Sequence, residues 1–388
     1  MKVIIACREV YPFHYGYSGS PKYIYNLSKY LVKQGVDLEI VTSLHGGKRR
    51  SEIYDGIKYT LVPPRTNRRF TALWCLLFGI NLARYLKGKD FDVLHAYDVA
   101  PYAYLHLKNR APVLYQPFGN EGLNMPKWVK RNALLKFYDR FWAGPVWRYC
   151  GSHAELVAAE GDFQVEEIMN LYGIGRDRIS IIPVGVDSSF IKGRLKARRI
   201  SQGHLGLTDN DFVLLSVNAL RPEKGISYLI DAFDILRHRL EHAKLVIIGA
   251  GIEERRITDK IRRYNLTDSV RHLKNVPEDS LYDYYALADV YISPTLQHDF
   301  ILGILEAEVC GLPVVSTGQE WLIKEGINGY VVPQKDPGAM AEAITKVYEG
   351  NREVMGRTSQ AVAKDYDFKH LAQSAIRIYQ SLARKTHL

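Results

Sequence analysis

The chain lacks most of the features that mark extracellular or metal-binding proteins. It has four cysteines in 388 residues, Cys7, Cys75, Cys150 and Cys310. None of them forms a C-x-x-C pair, so neither a zinc site nor a disulfide framework is predicted. No charged leader with a cleavage site precedes the first apolar run, which we interpret as a buried strand and not as a signal peptide. These absences favour a cytoplasmic protein.

Long apolar runs and common phosphate-binding signatures are missing as well. The longest apolar patch, residues 70–86, includes Arg84 and is too short and too polar to span a bilayer. No G-x-G-x-x-G follows the first strand, and no G-x-x-x-x-G-K-[ST] occurs, so a dinucleotide oxidoreductase and a P-loop enzyme both lack their phosphate cradle. A D-x-D at Asp90 and Asp92 lies on the approach to a strand, without the surroundings of a metal-binding transferase. We expect no cofactor and no required metal.

The charge is positive overall, with 52 Lys and Arg against 42 Asp and Glu. Basic clusters lie at residues 48–50 and at Arg65, Arg68 and Arg69, just before the apolar patch. Two interpretations stay open. Either the cluster attaches the protein to an anionic membrane surface on the cytoplasmic side, at roughly 1 kcal/mol for each charge, or it is a solvated loop before a core helix. Nucleic-acid binding is not expected, because no groove-reading motif accompanies the charge.

Short β-rich apolar runs, including those at residues 2–7, 37–43 and 212–217, alternate with helical patterns, including one at about 337–349, along the whole chain. This alternation predicts parallel sheets of the α/β class. The length favours two domains. We predict two Rossmann-like doubly wound domains, at residues 1–187 and 188–366, with a final helix at about 367–388 that packs back on the first domain. A basic, polar stretch at residues 192–204 predicts a linker. Ligands of such folds bind at the carboxyl ends of the strands, so we expect the site in a cleft between the two sheets.

Several blocks of the second half occur in an order that is specific as a set. They are "IIPVGVD" (181–187), "NALRPEKG" (218–225), "GAG" (249–251), "PTLQHDFILGILEAEVCGLPVV" (294–315) and "GINGYVVP" (326–333). The chain resembles glycosyltransferase family 4 in these blocks, and the resemblance extends over nearly its whole length. The resemblance implies the GT-B fold and metal-independent, retaining transfer of a hexose from a nucleotide-diphosphate sugar to a glycan or lipid-linked acceptor.

The resemblance assigns donor-binding roles in the block 218–225 and in the "GAG" block. Lys224 matches the lysine that neutralises the donor pyrophosphate and acts as a catalytic residue, and a lysine exposed in a turn is the alternative. The family's partner arginine falls at Ala219, and Arg221, which lies nearby, is the catalytic candidate that takes its place. Gly249 and Gly251 are expected to approach the donor.

Glu306 matches the second glutamate of the family's E-x7-E motif, which accepts hydrogen bonds from the nucleotide ribose. An acid on a helix surface is the alternative. The first glutamate of the motif falls at His298, with Asp299 one residue away, and both are predicted donor contacts. Ile301 replaces a glycine that lets backbone amides approach the diphosphate.

The first half resembles the family at a glycine-rich loop and at two strands. Ser20 and Pro21 predict the start of a helix. Gly19 keeps the first glycine of the family's pair, Ser20 replaces the second, and both are expected near the donor phosphates. His95 matches a histidine common in the family and is a catalytic candidate, with a buried histidine satisfied by backbone groups as the alternative.

A further loop, within "PVLYQPFGNEG" (112–122), carries Phe118 where the family has a histidine that contacts the transferred sugar. Gly119 and Asn120 are expected to line the same sugar or acceptor pocket.

These departures from the family pattern leave a second hypothesis open. The chain would then be a catalytically silent GT-B protein that binds a nucleotide or glycan, or that scaffolds a partner glycosyltransferase. A phosphorylase or a sugar-nucleotide epimerase is a third, for which no pyridoxal-binding lysine signature is present.

Overall fold

The protein is described by a computed structural model that covers residues 1–14, 19–44, 48–63, 71–117, 141, 144–196, 205–296 and 302–386. The chain divides into two compact units, Met1–Gly185 with Phe368–Leu388, and Val186–Asp367. Each unit contains one sheet with a hydrophobic cluster on either face. Among the helices of the described ranges, none has the length and hydropathy that a membrane crossing requires.

The first unit is built on a sheet with the strand order β3-β4-β2-β1-β5-β6-β7-β8. Every neighbouring pair is parallel except β3 with β4. The strands are β1 (Lys2–Cys7), β2 (Asp37–Ser43), β3 (Arg50–Tyr54), β4 (Ile57–Val62), β5 (Val93–Tyr97), β6 (Val113–Gln116), β7 (Leu156–Ala159) and β8 (Ile179–Ile181). Its helices are α1 (Gly19–Lys33), α2 (Thr71–Leu86), α3 (Gly144–His153), α4 (Val165–Tyr172) and the final α12 (Phe368–Thr386).

Apolar residues at helical spacing fix α1 and α12 on the same face of this sheet. Leu27 and Leu31 of α1 and Leu371 and Tyr379 of α12 are buried in one cluster with β1. Helix α1 begins at Gly19, so Ser20 lies within its first turn and not at the cap position predicted for it.

The second unit has an all-parallel sheet with the order β11-β10-β9-β12-β13-β14. The strands are β9 (Phe212–Val217), β10 (Ala243–Ile248), β11 (Val270–Leu273), β12 (Val290–Ser293), β13 (Val314–Ser316) and β14 (Gly329–Val331). The helices are α5 (Ser188–Lys196), α6 (Ile226–Arg237), α7 (Glu254–Arg263), α8 (Glu278–Leu287), α9 (Leu302–Val309), α10 (Pro337–Glu349) and α11 (Arg352–Asp365).

The predicted linker at residues 192–204 is wrong in its first part, because α5 extends to Lys196. Asp187 accepts a hydrogen bond from the Phe190 backbone N–H at 2.9 Å in the first turn of α5, and Ile191 is buried in the core of the second unit. The first residues of this basic stretch therefore belong to a helix with one apolar face. Residues 197–204 lie outside the described ranges.

Both sheets reverse their strand order beside their first strand, between β1 and β5 in the first unit and between β9 and β12 in the second. In doubly wound sheets ligands bind at such a switch point, outside the carboxyl ends of the strands. Lys224 lies in the loop after β9, and Glu306 lies on α9, the helix that follows the loop after β12. The topology therefore places these two predicted donor residues where a ligand is expected.

Candidate functional site

The loop after β9 forms a short 3₁₀ turn, Pro222–Lys224, just before α6. The backbone N–H of Lys224 donates to the carbonyl of Arg221 at 3.0 Å. Gly225 ends the turn with a φ of 67°, a conformation that glycine adopts without steric cost. Lys224 is half-buried, whereas the Arg221 side chain is 62% exposed. Both cationic residues therefore lie in one turn at the start of a helix.

This turn is bonded to the loop after β12 across the switch point. The Leu296 backbone N–H donates to the Glu223 carbonyl at 2.8 Å. A Cβ at Gly225 would overlap the carbonyl oxygen of Pro294. The two loops are therefore in direct backbone contact. Residues 297–301, which include His298 and Asp299, lie outside the described ranges.

The two predicted glycines after β10 pack on the loop after β9. A Cβ at Gly249 would overlap the carbonyl oxygen of Asn218, and one at Gly251 would overlap that of Leu220. The Leu220 backbone N–H also donates to the Ala250 carbonyl at 3.0 Å. Close loop packing is thus a structural reason for both glycines, beside the donor contact expected of them.

Glu306 lies on α9 and is only 9% exposed, so the alternative of a helix-surface acid is wrong. Its Oε1 accepts a hydrogen bond from the Tyr282 hydroxyl at 3.1 Å, and its Oε2 accepts one from the Tyr285 hydroxyl at 3.0 Å. Both tyrosines come from α8. Neither tyrosine belongs to a motif of the sequence, where their signal is the three-residue spacing that puts them on one helix face.

Glu306 is held near the end of β9 by close packing of its helix. A Cβ at Gly303 would overlap the Tyr291 hydroxyl, and that hydroxyl donates to the Val217 carbonyl at 3.1 Å. Val217 is the last residue of β9, directly before the loop with Arg221 and Lys224. The first turn of α9 therefore lies on the carboxyl end of the strand that leads into the cationic turn.

Two buried tyrosines near Glu306, Tyr285 and Tyr291, keep their protons. Burial, and after it the negative charge of Glu306, raise the pKa of Tyr285 well above its ordinary value. Burial and Glu306 likewise raise the pKa of Tyr291. A protonated tyrosine donates, and a carboxylate accepts, so the hydroxyls of α8 hold Glu306 as hydrogen-bond donors.

In the first unit, Gly19 and Ser20 form the start of α1, in the connection that leaves the switch-point strand β1. This is the place expected of a phosphate-approaching loop. Strand β6 ends at Gln116, and Phe118, Gly119 and Asn120, predicted to follow it, lie outside the described ranges.

His95 is buried in the core of the first unit, with none of its surface exposed. Its Nδ1 is 2.8 Å from the Tyr379 hydroxyl and its Nε2 is 3.1 Å from Gln116 Oε1. Burial lowers the pKa of His95 to about 3, so the ring is neutral. His95 is therefore buried, as the alternative expected, but its partners are side chains and not backbone groups. Its burial corrects the assignment of His95 to catalysis, which needs an accessible ring.

The D-x-D is structural at its second aspartate. Asp92 Oδ2 accepts a hydrogen bond from the Lys2 backbone N–H at 2.7 Å. Lys2 begins β1 and Asp92 directly precedes β5, so this contact lies at the amino end of the sheet, opposite the edge where ligands bind.

Two family models match successive parts of the chain. Residues 17–190 match the model described as Glycosyltransferase Family 4, and residues 198–364 match Glycosyl transferases group 1. A D-inositol 3-phosphate glycosyltransferase from Geodermatophilus obscurus is 30% identical over 276 residues, which are 66% of this chain and 59% of that relative. The match therefore covers less than two thirds of that relative.

Solved structures are similar over nearly the whole chain. Sucrose-phosphate synthase from Thermosynechococcus elongatus has a TM-score of 0.78 at 18% identity and covers 99% of both chains. HepE from Anabaena in complex with UDP-glucose has a TM-score of 0.70 at 16% identity and covers 98% of this chain and 100% of its own. These likenesses and the two parallel α/β sheets confirm the predicted GT-B fold.

Proposed function

Because the chain belongs to glycosyltransferase family 4, we propose that it moves a sugar, with retention, from a nucleotide-diphosphate donor to a glycan or lipid-linked acceptor. One arrangement carries the proposal. The turn with Arg221 and Lys224 and the helix with Glu306 lie at the carboxyl ends of β9 and β12, the switch point of the second sheet. The likeness to HepE, solved with UDP and with UDP-glucose, supports a nucleotide-diphosphate sugar as the donor.

In this proposal Lys224 neutralises the donor pyrophosphate, assisted by the N-terminal amides of the 12-residue helix α6. Arg221, two residues beyond Ala219 in the same loop, takes the place of the family's arginine. Its exposed side chain is free of the protein core and can reach an anion outside the loop, and it lies 3.9 Å from the Glu223 carboxylate. Glu306 accepts hydrogen bonds from the ribose hydroxyls.

Transfer breaks the bond between the anomeric carbon and the donor diphosphate. The acceptor oxygen forms its bond to that carbon on the face from which the diphosphate leaves, and the acceptor proton passes to the diphosphate. The reaction then needs cations that stabilise the leaving group, not a protein base. A neutral, buried His95 is compatible with such a mechanism. We further propose that no metal is required, so activity should persist in excess chelator.

Ala219 favours the second hypothesis, a GT-B protein that binds nucleotide without turnover. It removes a cation that the family has beside the pyrophosphate, and only the exposed Arg221 stands in for it. Transfer and silent binding differ in whether the sugar contributes to binding and whether nucleoside diphosphate is released.

The test combines ligand stabilisation with turnover. Thermal unfolding is measured with UDP, GDP and ADP and with their sugar conjugates, since saturation at about 100 times the dissociation constant adds roughly 2.7 kcal/mol. Release of the diphosphate is then followed with candidate acceptors. Lys224→Ala should lose both responses. The matched control is Lys244→Ala, because Lys244 lies at the amino end of β10 with its Nζ on the Asp268 carbonyl.

Stabilisation by one conjugate beyond its bare diphosphate, with turnover, would establish transfer and identify the donor. Stabilisation by bare diphosphates alone, without turnover, would favour the silent protein. Equal loss of stabilisation and turnover in Lys224→Ala and Lys244→Ala would show that the cationic turn has no special role in binding the donor.

A lipid-linked acceptor is part of the proposal and has its own test. The basic cluster at residues 48–50 is partly engaged within the protein, because Arg49 lies over the Tyr85 ring at 5.1 Å and Arg50 Nε is 2.6 Å from Glu52. The cluster at Arg65, Arg68 and Arg69 lies outside the described ranges. If this region attaches to membranes, the protein should float with anionic liposomes at low salt and not with neutral ones. Absence of anionic binding would favour a water-soluble glycan acceptor.

A further inference from the structure

The two tyrosines bonded to Glu306 form an ordered cluster that the resemblance to the family does not explain. Tyr282 and Tyr285 stack on each other with ring centroids 5.9 Å apart, and Tyr285 stacks on Tyr291 at 5.8 Å. Phe190 of α5 meets Tyr282 edge-on at 5.9 Å. The rings form a continuous row that runs from α5 to β12.

The row is fixed at the end nearest the site. Tyr291 lies in the sheet and its hydroxyl is bonded to Val217. Tyr285 and Tyr291 are fully buried and Tyr282 is 3% exposed. Stacked aromatic rings in a packed core have few accessible rotamers, so the positions of the two hydroxyls on Glu306 are set by the row and not by the glutamate.

Each tyrosine takes a different oxygen of Glu306, Tyr282 on Oε1 and Tyr285 on Oε2. Two donors on two oxygens fix the plane of a carboxylate, whereas a single donor leaves rotation about its last bond. A glutamate fixed in this way presents both oxygens in a defined plane, which suits a ligand that offers two neighbouring hydroxyls.

We propose that Tyr282 and Tyr285 are positioning residues that orient Glu306 toward the cis-diol of a nucleotide ribose and thereby make the site selective for ribonucleotides over 2′-deoxyribonucleotides. The inference rests on the proposed function, which supplies the nucleotide. Neither tyrosine touches the ligand in this scheme. Both act through Glu306, and the high pKa that burial gives Tyr285 keeps its hydroxyl a donor at any working pH.

The test compares the affinities for UDP and 2′-deoxy-UDP, measured by calorimetry, in wild type and in Tyr→Phe variants. Wild type should prefer UDP by roughly tenfold or more, the range expected for hydrogen bonds to a charged group. The double variant Tyr282→Phe/Tyr285→Phe should lose most of the preference for UDP, because its affinity for UDP falls more than its affinity for 2′-deoxy-UDP, which keeps only the 3′-hydroxyl. Each single variant should lose part of it, and Glu306→Gln should lose it as well.

Tyr264→Phe is the matched control. It removes a tyrosine hydroxyl that donates to a carboxylate of the same unit, Asp231 Oδ1 at 2.8 Å, outside the row. It should keep the wild-type preference. A purely structural effect of losing a hydroxyl at Tyr282 or Tyr285 would weaken the binding of both nucleotides alike, so the ratio of the two affinities separates positioning from packing.

The outcomes separate this inference from the proposed function. A double variant with the wild-type ratio would overturn the positioning role. A wild type that binds UDP and 2′-deoxy-UDP equally would overturn it too, while leaving nucleotide binding intact. A wild type that binds no nucleoside diphosphate would overturn the proposed function, and the inference with it.

Discussion

Substituting Gly225 by alanine should weaken the contact between the two loops, after β9 and after β12, that form the proposed donor site. Gly225 has a φ of 67°, and a Cβ there would overlap the Pro294 carbonyl oxygen, with the carbonyl carbon at 3.0 Å. Both obstacles are backbone, so neither can move aside as a flexible side chain would. Alanine in the left-handed region costs about 1–2 kcal/mol, offset by about 0.4–1 kcal/mol from the stiffer unfolded chain.

The steric overlap adds about 1–3 kcal/mol, the range for overpacking, so Gly225→Ala should lower the free energy of unfolding of the second unit by about 2–4 kcal/mol. The matched control is Gly326→Ala in the same unit. Gly326 has a φ of 71° but no atom within 4 Å of the position of a Cβ. Gly326→Ala should lower the free energy of unfolding only through the left-handed backbone conformation, by about 1 kcal/mol or less.

The assay is native-state hydrogen exchange of the amides of β9 and β12, which reports the stability of the second unit by itself. Nucleotide affinity is measured in parallel. Gly225→Ala should also weaken UDP binding, because the steric overlap lies where the turn of Lys224 contacts the loop after β12. Equal losses of stability in Gly225→Ala and Gly326→Ala, or unchanged UDP binding in Gly225→Ala, would refute the reasoning.

Three further predictions concern charge. Arg221→Ala should weaken nucleotide-diphosphate binding less than Lys224→Ala in calorimetry, because the Arg221 side chain is 62% exposed and more solvated. Burial lowers the pKa of His95 from 6.5 to about 3, so the unfolded chain binds a proton at a higher pH than the folded protein does. The free energy of unfolding of wild type should therefore fall more steeply below pH 6.5 than that of His95→Gln, by up to about 1.4 kcal/mol per pH unit. Urea denaturation over this pH range measures the difference. Burial raises the pKa of Glu308 well above 4.5, so Glu308 keeps a proton in the folded protein that it loses in the unfolded chain. Glu308→Gln should therefore become more stable relative to wild type as the pH rises from 4.5 to 7. A difference in stability that does not change with pH would contradict this.

The strands that the sequence predicts best are those buried on both faces. The runs at residues 2–7, 37–43 and 212–217 are strands with the predicted bounds. Central strands of parallel sheets have few polar positions, so their apolar runs coincide with the strands themselves. The helix predicted at 337–349 is also confirmed, where Asp336 accepts from the Ala339 N–H and Pro337 occupies the first turn.

Elements without an apolar run were missed. Strand β3 is exposed at four of its five residues and contains one apolar aliphatic side chain, Ile53, so its pairing with β4 has no periodic signal. Helix α11 is polar over most of its surface and was missed for the same reason. In the site, the match of Glu306 to the family motif is readable from the sequence, but its tyrosine partners depend on how α8 packs against α9. For His95 the match to the family was misleading, because the side chain is buried and a sequence motif does not report burial.

Nucleotide binding by itself does not distinguish a transferase from a silent binder of the same fold. The described residues of the second unit, Lys224 and Glu306 above all, are suited to the diphosphate and the ribose, which both hypotheses share. By the resemblance, the departure at Phe118 concerns the transferred sugar, that at His298 concerns a donor contact of the E-x7-E motif, and that at Ile301 concerns the approach to the diphosphate. Catalysis requires interactions that strengthen as the bond to the sugar breaks. A protein that binds UDP tightly but gains no affinity from an attached sugar would therefore have kept the nucleotide-binding part of the site without the part that acts on the sugar. The affinity of a sugar conjugate relative to its own diphosphate is therefore the quantity that separates the two hypotheses, and turnover that follows the same preference among sugars would decide for transfer.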